Sequence, residues 1–236
     1  MKAILLVGVL FCLQTSFAQR IVDVTSGDNQ LGPSSLYTVS GSPFVNDKYV
    51  KLVEGTPYFQ KDYMDGMLVT TTGQEFKNLS LKLNLHTGEI LYKNEKGEEM
   101  ITTTSIKEVI LTDALGNNFR FIHSSALPRN EAGLLKEGWY QWMASGSASL
   151  YKFYNKQLTE SAPYGSATTE QKIKTKEKYL VVYNNAYFEI SKIKDTPGIL
   201  ANKKTELEAY LKKEEKSSSL DDRLTAIIQF YNGLIK

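Results

Sequence analysis

The chain of 236 residues has few of the side chains that most metal centres and covalent catalytic sites require. It contains one cysteine, Cys12, and two histidines, His86 and His123. A zinc site needs three or four converging nitrogen, sulfur or oxygen ligands, and the two histidines show no HxH or HxxxH spacing. We therefore predict no metal and no cofactor, and a lone cysteine excludes an internal disulfide.

The common phosphate-binding and nucleophile motifs are also missing. The sequence contains no GxxxxGK or GxGxxG loop and no GxSxG elbow, which argues against nucleotide binding and against the α/β-hydrolase mechanism. Lysine and arginine total 28 against 26 acidic residues. Because the charges nearly balance, no broad positive field favours a nucleic-acid partner.

The N-terminus has the three parts of a secretory signal peptide. A positively charged start leads into the apolar run Ala3–Leu13, and small residues follow at Ser16-Phe17-Ala18. The pattern predicts a signal peptide over residues 1–18 and a mature chain that begins at Gln19. An uncleaved anchor is the disfavoured alternative, since a membrane span takes about 20 residues. Nor does the mature chain contain an apolar run of that length.

Removal of the signal peptide would also remove Cys12, leaving an exported chain without cysteine. Secreted eukaryotic domains are often held by disulfides, so this composition favours a bacterial exported protein. We expect localisation in the periplasm, at the cell surface or outside the cell.

The stretch NLSLKLNLHTGEILY places a leucine at every second position. This period of two is typical of a β-strand with one buried face. The buried face would consist of Leu79, Leu81, Leu83 and Leu85, and the exposed face of Ser80, Lys82 and Asn84. The glycine of His86-Thr87-Gly88-Glu89 suits a turn, so the stretch predicts an antiparallel hairpin.

Similar segments recur along the chain and predict about ten strands at meander spacing. The predicted turns are Gly41-Ser42-Pro43, Thr72-Gly73, Leu115–Asn118, Ser145-Gly146-Ser147 and Asn184-Asn185. Two longer loops are expected at Ser125–Glu137 and Thr159–Thr169. The lysine-rich run KIKTKEK, Lys172–Lys178, alternates charge with other residues and predicts a solvated strand or a guarded sheet edge.

The last forty residues or so change from strand to helix periodicity. Thr196 is placed to cap a first helix that has Pro197 as its first residue, and Ser219 with Asp222 forms a capping pair for a second. The second helix has an apolar stripe: Leu220, Leu224, Ile227, Ile228, Tyr231 and Leu234. We expect the stripe to cover the sheet; its alternative use is as a docking helix for another protein.

These patterns together predict a mainly β (α+β) protein. Its antiparallel meander would curl into an open half-barrel or sandwich, and two C-terminal amphipathic helices would close it. We expect one mature domain over residues 19–236, with antiparallel β-structure over 19–195 and a helical tail over 196–236.

Three parts of the sequence carry a resemblance to known proteins. They are SPFVNDKYVKL, the hairpin FKNLSLKLNLHTGEILYKNEKGEEM with the following IKEVILTD, and the ending ELEAYLKKE with LTAIIQFYNGL. In these parts the chain resembles a family of uncharacterised exported proteins of Bacteroidota that combine a meander sheet with a C-terminal helical pair. The resemblance implies a place in the cell envelope and implies no particular chemistry.

Aromatic residues supply the only candidate ligand site in the sequence. Tyr140, Trp142, Tyr151 and Tyr154 lie on two strand segments, where they could line a groove or belong to the core. We favour an exported, non-catalytic envelope protein that binds a ligand or partner, either an envelope protein, a glycan or a lipid. The alternative is a hydrolase with carboxylate chemistry, which would need two carboxylates, or one with His86 or His123, in one concave site.

Overall fold

A computed structural model describes most of the predicted mature chain. The described residues are 21–23, 41–43, 50–128, 133, 135–162, 164–165, 168–213 and 218–235. Within them the chain forms one open, unclosed sheet of thirteen strands, followed by three short helices. This confirms the mainly β architecture with a helical C-terminus. The predicted signal peptide and Gln19 lie outside the described residues.

The strands are short at the start of the chain and longest in its second half. They are β1 (Ile21–Asp23), β2 (Gly41–Pro43), β3 (Val50–Glu54), β4 (Met64–Thr70), β5 (Glu75–Leu83), β6 (Ile90–Lys93), β7 (Glu99–Thr102), β8 (Ile106–Thr112), β9 (Asn118–His123), β10 (Trp139–Ala144), β11 (Ala148–Ser161), β12 (Thr169–Tyr183) and β13 (Ala186–Ile190). The helices are α1 (Thr196–Ile199), α2 (Lys204–Lys213) and α3 (Leu220–Leu234).

Most neighbouring strands are antiparallel, in the order β13-β12-β11-β10-β9-β8-β4-β5-β6-β7-β2. This confirms the mostly antiparallel sheet. Two pairs, β1 with β5 and β3 with β12, are parallel, which the sequence did not predict. The predicted turn at Gly41-Ser42-Pro43 is wrong, because it forms β2 and pairs with β7. The expected loop Thr159–Thr169 is shorter than predicted, since β11 continues to Ser161.

The leucine hairpin forms as predicted over β5 and β6, with two departures. Leu79, Leu81 and Leu83 are buried, whereas Leu85 is half-buried. Asn84 was predicted to be exposed and is buried instead. The reason is that β5 ends at Leu83, after which the Asn84 carboxamide turns inward and accepts hydrogen bonds from the backbone N–H groups of His86 (2.9 Å) and Thr87 (3.1 Å).

The other two polar residues of β5, Ser80 and Lys82, are half-buried rather than exposed. The Lys82 ammonium lies 4.3 Å from the ring centre of Tyr58 and 5.3 Å from that of Tyr63. These two tyrosines come from the segment before β4 and cover the lysine side chain, a cation–π arrangement that the alternation of β5 could not predict.

The sheet has two unlike faces. Antiparallel register puts Phe121, Gln141, Lys152 and Tyr179 on one face, which also carries the buried leucines of β5 and which we call the inner face. It holds two apolar clusters, one over β4–β9 and one under the helices. The opposite, outer face carries a third cluster, around Tyr140 and Phe153.

The first predicted helix is broken into pieces. Asp195, not Thr196, is the N-cap of α1, and Pro197 follows Thr196 within its first turn. Leu200, with φ −99° and ψ 54°, leaves the helical region and is fully buried. Burial of Leu200 in the apolar cluster under the helices thus interrupts the helix before α2 begins.

The second predicted helix forms with its expected cap. The Ser219 hydroxyl oxygen accepts a hydrogen bond from the backbone N–H of Asp222 (3.2 Å). Leu224, Ile227, Ile228 and Tyr231 are fully buried against the sheet, which confirms that the stripe covers the protein's own core. Its ends are less covered: Leu220 is exposed and Leu234 half-buried.

The last turn of α3 also makes a polar contact with the sheet. The Asn232 side chain accepts from the backbone N–H of Ala148 (2.8 Å) and donates to the carbonyls of Ala148 (2.9 Å) and Ser145 (3.1 Å). A Cβ at Gly146 would stand 2.5 Å from this carboxamide, so only glycine fits beside it. None of the helices in the described part of the chain combines the length and apolar character that a membrane crossing requires.

Candidate functional site

A pocket of about 650 Å³ lies between the β5–β6 turn, the β7–β8 connection, the end of β9 and the start of β10. Its volume is in the range of small-ligand sites. We call it the histidine pocket; the chemically distinctive residues that line it are His86, Glu89, His123, Glu137 and Trp139. Hydroxyl-bearing residues complete its polar lining: Thr71, Thr87, Thr102, Thr104, Ser105 and Ser125.

The β5–β6 turn forms one wall of the histidine pocket and is fixed at two points. The indole N–H of the buried Trp139 donates to the carbonyl of Gly88 (2.8 Å). The His86 Nδ1 lies 3.1 Å from the carbonyl oxygen of Lys156 on β11. A carbonyl can only accept, so Nδ1 of His86 carries a proton and donates it to this carbonyl.

His123 lies at the end of β9 with its ring edge against Trp139, 5.0 Å between centroids. Its Nδ1 accepts from the backbone N–H of Ser125 (3.3 Å) and lies 2.8 Å from the Ser125 hydroxyl oxygen. Burial lowers the pKa of His123, and the nearby Glu137 carboxylate opposes this shift only in part. The ring is therefore neutral at neutral pH, with its proton on Nε2 as a donor.

Among the described residues, the two carboxylates of the histidine pocket make no hydrogen bond to the imidazoles, although Glu137 is near enough to affect the pKa of His123. The Glu89 carboxylate accepts a hydrogen bond from the Thr87 hydroxyl (2.7 Å), within its own turn. Within the described ranges, no hydrogen bond or ion pair joins Glu89 or Glu137 to His86 or His123. The pocket thus offers a ligand separate donors and acceptors rather than a linked proton-transfer pair.

A metal centre would need more converging ligands than the pocket provides. Over the part of the chain that the structure describes, no group of three or more histidine, cysteine, aspartate or glutamate side chains stands close enough to hold an ion. Two imidazoles and two carboxylates that line one pocket without converging do not meet the requirement for a zinc site.

The aromatic residues predicted from the sequence lie on both faces of the sheet. Tyr140, Trp142 and Tyr151 are on the outer face, whereas Tyr154 is on the inner face. Tyr140 stacks on Phe153 with centroids 4.8 Å apart, and Trp142 stacks on Tyr151 at 6.0 Å. The four residues therefore do not line one groove.

The outer aromatic residues are largely covered. Tyr140 and Tyr151 are buried, and the Tyr140 hydroxyl bonds the backbone of Lys136 in the β9–β10 connection. Half-buried Trp142 has the Arg120 guanidinium 4.1 Å from its ring centre, and Arg120 pairs with Glu108. The aromatic side chains belong to the third apolar cluster, and among the four aromatic rings of the two stacked pairs only that of Trp142 is more than slightly exposed.

Tyr154 belongs to a polar cluster between the sheet and α3 that the sequence did not reveal. The Lys152 side chain is 5% exposed and lies 2.7 Å from Asp221 and 2.9 Å from Glu177. The Tyr179 hydroxyl donates to Asp221 (2.6 Å). Burial alone would lower the pKa of Lys152, but its hydrogen bonds to Asp221 and Glu177 outweigh burial and raise it.

Burial raises the pKa of Tyr154 to about 12, against the nearby Lys152 ammonium, which lowers it. The Tyr154 hydroxyl therefore stays protonated and donates to Gln141. The contacts of this cluster are made within the protein, so it fastens the first turn of α3 to the sheet.

His86 and His123 are the only histidines of the chain, but no sequence pattern predicted that they would line the same pocket. Strand pairing places His123 opposite Trp139, and the Trp139–Gly88 hydrogen bond brings the turn with His86 to the same place. No local pattern encodes that long-range contact. A comparison of the chain with models of known protein families, with curated proteins and with solved structures found no match in any of the three.

Proposed function

We propose that this protein is an exported, non-catalytic envelope protein that binds a short, hydroxyl-rich ligand, most simply a glycan segment, in the histidine pocket. The observation that carries the proposal is the combination of a ligand-sized volume with a lining of hydroxyls, imidazoles and carboxylates around Trp139. Serine and threonine hydroxyls both donate and accept hydrogen bonds, as sugar hydroxyls do.

The lining favours a glycan over a lipid chain. A lipid chain needs a continuous apolar surface, whereas the apolar residues here, Leu85, Ile90 and Ile106, alternate with polar ones around the pocket. The imidazole of His123 supplies an Nε2–H donor, and the imidazole of His86 supplies a second ring nitrogen for hydrogen bonding. Because both rings are held by their Nδ1 atoms, little side-chain freedom is lost when a ligand binds.

Export rests on the signal-peptide pattern of residues 1–18 and on the resemblance to exported Bacteroidota proteins. The test is N-terminal sequencing of the protein recovered from the envelope and from the medium. We expect the mature chain to begin at Gln19. An intact Met1, or a lipid attached to Cys12, would refute a freely exported mature chain.

A hydrolase is the second candidate, because Glu89 and Glu137 line the same pocket as both histidines. A glycosidase uses one carboxyl group as an acid and a second as base or nucleophile. The local hydrogen bond of Glu89 favours binding without turnover, as does the lack, among the described residues, of a hydrogen bond between either carboxylate and an imidazole.

Calorimetry of the mature protein against a panel of short neutral oligosaccharides tests the binding. Ser105 is an exposed residue of the pocket lining, and Ser105→Trp should fill the pocket and abolish the heat of binding. Ser191→Trp places the same ring at an exposed serine outside the pocket and should leave binding intact. If both variants bind equally well, the pocket is not the site.

The same samples separate the two candidates when new reducing ends are measured after long incubation. The proposal predicts binding without cleavage. Cleavage that Glu137→Gln abolishes would establish the hydrolase instead.

A further inference from the structure

The β11–β12 hairpin extends well beyond the strands beside it. β10 pairs with β11 between Leu150 and Phe153, and β13 pairs with β12 from Tyr179 onward. The residues beyond these points, Asn155–Ser161 and Thr169–Lys178, form a two-stranded extension that we call the arm. β3 accompanies β12 only over Thr169–Lys172, so the arm projects from the body of the sheet.

Strand register sorts the side chains of the arm onto two faces. The pairing of β11 with β12 is continuous from Ala148↔Tyr183 to Ser161↔Glu170, so alternate residues of β12 share a face. The outer face of the arm carries four lysines in a row: Lys172, Lys174, Lys176 and Lys178. The residues paired with them on β11 are Thr159, Gln157, Asn155 and Phe153.

The lysines are regularly spaced because the strand is regular. Two residues along a strand advance the chain by about 6.6–6.8 Å, so the four ammonium groups span roughly 20 Å. Amide and hydroxyl side chains from Asn155, Gln157 and Thr159 run parallel to them. The outer face of the arm is therefore a straight strip of cations flanked by neutral hydrogen-bonding groups.

The acidic partners of the strip stand at its ends. Lys178 pairs with Glu189 (3.0 Å) and Lys172 lies 4.0 Å from Glu54. Lys174 and Lys176 are exposed, and in the portion of the chain described no carboxylate lies within 4.0 Å of either ammonium. Beyond Lys172 the same face continues with Glu170, which marks the end of the positive strip.

The other acids of the arm point to the inner face and are already used. Glu177 binds Lys152 (2.9 Å), and Glu160 accepts a hydrogen bond from Gln171 (2.7 Å). The charges are thus divided between the faces although the whole chain is nearly neutral. The sum of the charges cannot show this division, whereas the placement of lysine at every second position of the strand does.

We propose that the outer face of the arm binds a linear acidic polysaccharide. Carboxylate groups repeated along an extended glycan would pair with Lys174 and Lys176, and the glycan hydroxyls would bond the amides of Asn155 and Gln157. The site lies on the opposite side of the sheet from His123 and Trp139 of the histidine pocket, so it goes beyond the proposed function and does not depend on it.

Other polyanions fit the strip less well. Within the described residues of the lysine row no exposed aromatic ring is available for nucleic-acid bases to stack on, because Phe153 is buried and the exposed Tyr164 lies at the tip of the hairpin, beyond the row. The described side chains of the row itself also include no large exposed apolar group to insert into a bilayer; the partly exposed Leu52 and Val53 belong to β3. A glycan needs neither feature, and the rigid strand presents its cations in a fixed array.

Protection of a sheet edge is the structural alternative. Over Ile173–Lys178 no strand of the described residues pairs with the second side of β12, and exposed lysines commonly keep such an edge from pairing with another chain. If this is their only role, removing the charges should cause association of the protein and should leave polysaccharide binding unchanged.

The test uses the full mature chain and fluorescent polygalacturonate at low salt. Lys174→Gln/Lys176→Gln should weaken binding about ten-fold or more and reduce the dependence of affinity on salt. Lys96→Gln/Lys194→Gln removes the same charge from exposed residues outside the arm and should have little effect. Lys174→Arg/Lys176→Arg keeps both positive charges and should retain binding. This variant shows whether substitution at the two positions impairs binding for reasons other than charge.

Several results of the same experiment would contradict the arm proposal. The proposal is overturned by no binding to polygalacturonate, by equal losses in the two glutamine variants, or by tighter binding of oligo(dT) or of phosphatidylglycerol vesicles. Ser105→Trp should still bind polygalacturonate fully, because that variant changes only the histidine pocket. Loss of polygalacturonate binding in Ser105→Trp would place the acidic glycan in the pocket and would also overturn the arm proposal.

Discussion

The polar cluster around Lys152 predicts an asymmetry between two substitutions. Asp221→Asn removes one of the two carboxylates that neutralise a lysine whose side chain is 5% exposed. Lys152→Met removes the buried cation itself and replaces it with an apolar side chain of similar length. We expect the first to be clearly more destabilising than the second, although both break the same ion pair.

The expected change in the free energy of unfolding depends on which charged groups remain in each variant. Removing one partner of a fully buried ion pair costs about 3–5 kcal/mol. Here Glu177 remains 2.9 Å from Lys152, and the Asp221 side chain is 35% exposed. We therefore expect the loss of the Lys152–Asp221 ion pair to lower the free energy of unfolding by roughly 1–2 kcal/mol. Asp221 also lies in the first turn of α3, where loss of a negative charge costs a further ~0.3–1 kcal/mol.

Lys152→Met should change stability by less than about 1 kcal/mol, because an apolar residue often replaces a buried ion pair at little cost. The acids that it leaves behind are partly solvated, and Asp221 keeps its hydrogen bond from Tyr179 (2.6 Å). Asp222→Asn is the matched control, since it removes a charge from the same helical turn without touching Lys152. It should cost only the loss of the cap and helix-dipole interactions, about 1 kcal/mol.

Urea denaturation followed by circular dichroism and fluorescence measures all three variants. Equal m-values would show that the free energies are comparable. The reasoning is refuted if Lys152→Met destabilises the protein as much as Asp221→Asn does. It is also refuted if Asp222→Asn matches Asp221→Asn, because the loss would then belong to the helix terminus.

Three further predictions concern the core, the tail and pH. Leu83→Ala should cost about 2–5 kcal/mol in urea denaturation, whereas Ser80→Ala on the same strand should stay within about 0.5 kcal/mol; similar losses for both would contradict the buried leucine row. Truncation before Ser219 should lower the melting temperature and expose apolar surface to a hydrophobic dye, and an unchanged melting temperature would contradict the core role of α3. Because burial lowers the pKa of His123 below the ordinary histidine value of 6.5, the unfolded chain takes up the proton first as pH falls. Stability should then decline below about pH 6.5, and His123→Asn should flatten this decline; an identical pH profile for the variant would count against the assignment.

Local patterns predicted the elements whose cause is local. Asn184 and Asn185 both adopt positive φ, 50° and 60°, which a two-residue hairpin turn requires and asparagine tolerates. The alternating leucines of β5 gave the buried face of the hairpin, and the helical stripe of α3 gave the surface that covers the sheet. In each case the periodicity of one segment, or the type of residue in one turn, was enough for the prediction.

Contacts between distant segments were beyond the reach of such patterns. The parallel pairing of β1 with β5 and of β3 with β12 depends on which stretches of those strands are left unpaired. Strands of three and five residues are too short to show a periodicity of their own. The histidine pocket depends on the Trp139–Gly88 hydrogen bond. The Lys152 cluster depends on the register of three elements. The four aromatic residues that the sequence singled out were separated because register sends Tyr154 to the inner face.

The position of the ligand can be measured directly because the chain has two tryptophans, one in each candidate site. Trp139 lines the histidine pocket, and Trp142 lies in the outer aromatic cluster. In Trp142→Phe, the emission of Trp139 should change on titration with the oligosaccharide that binds in calorimetry, with the same dissociation constant. In Trp139→Phe, the emission of Trp142 should stay constant. A response from Trp142 with a silent Trp139 would contradict the account and place the ligand on the outer face.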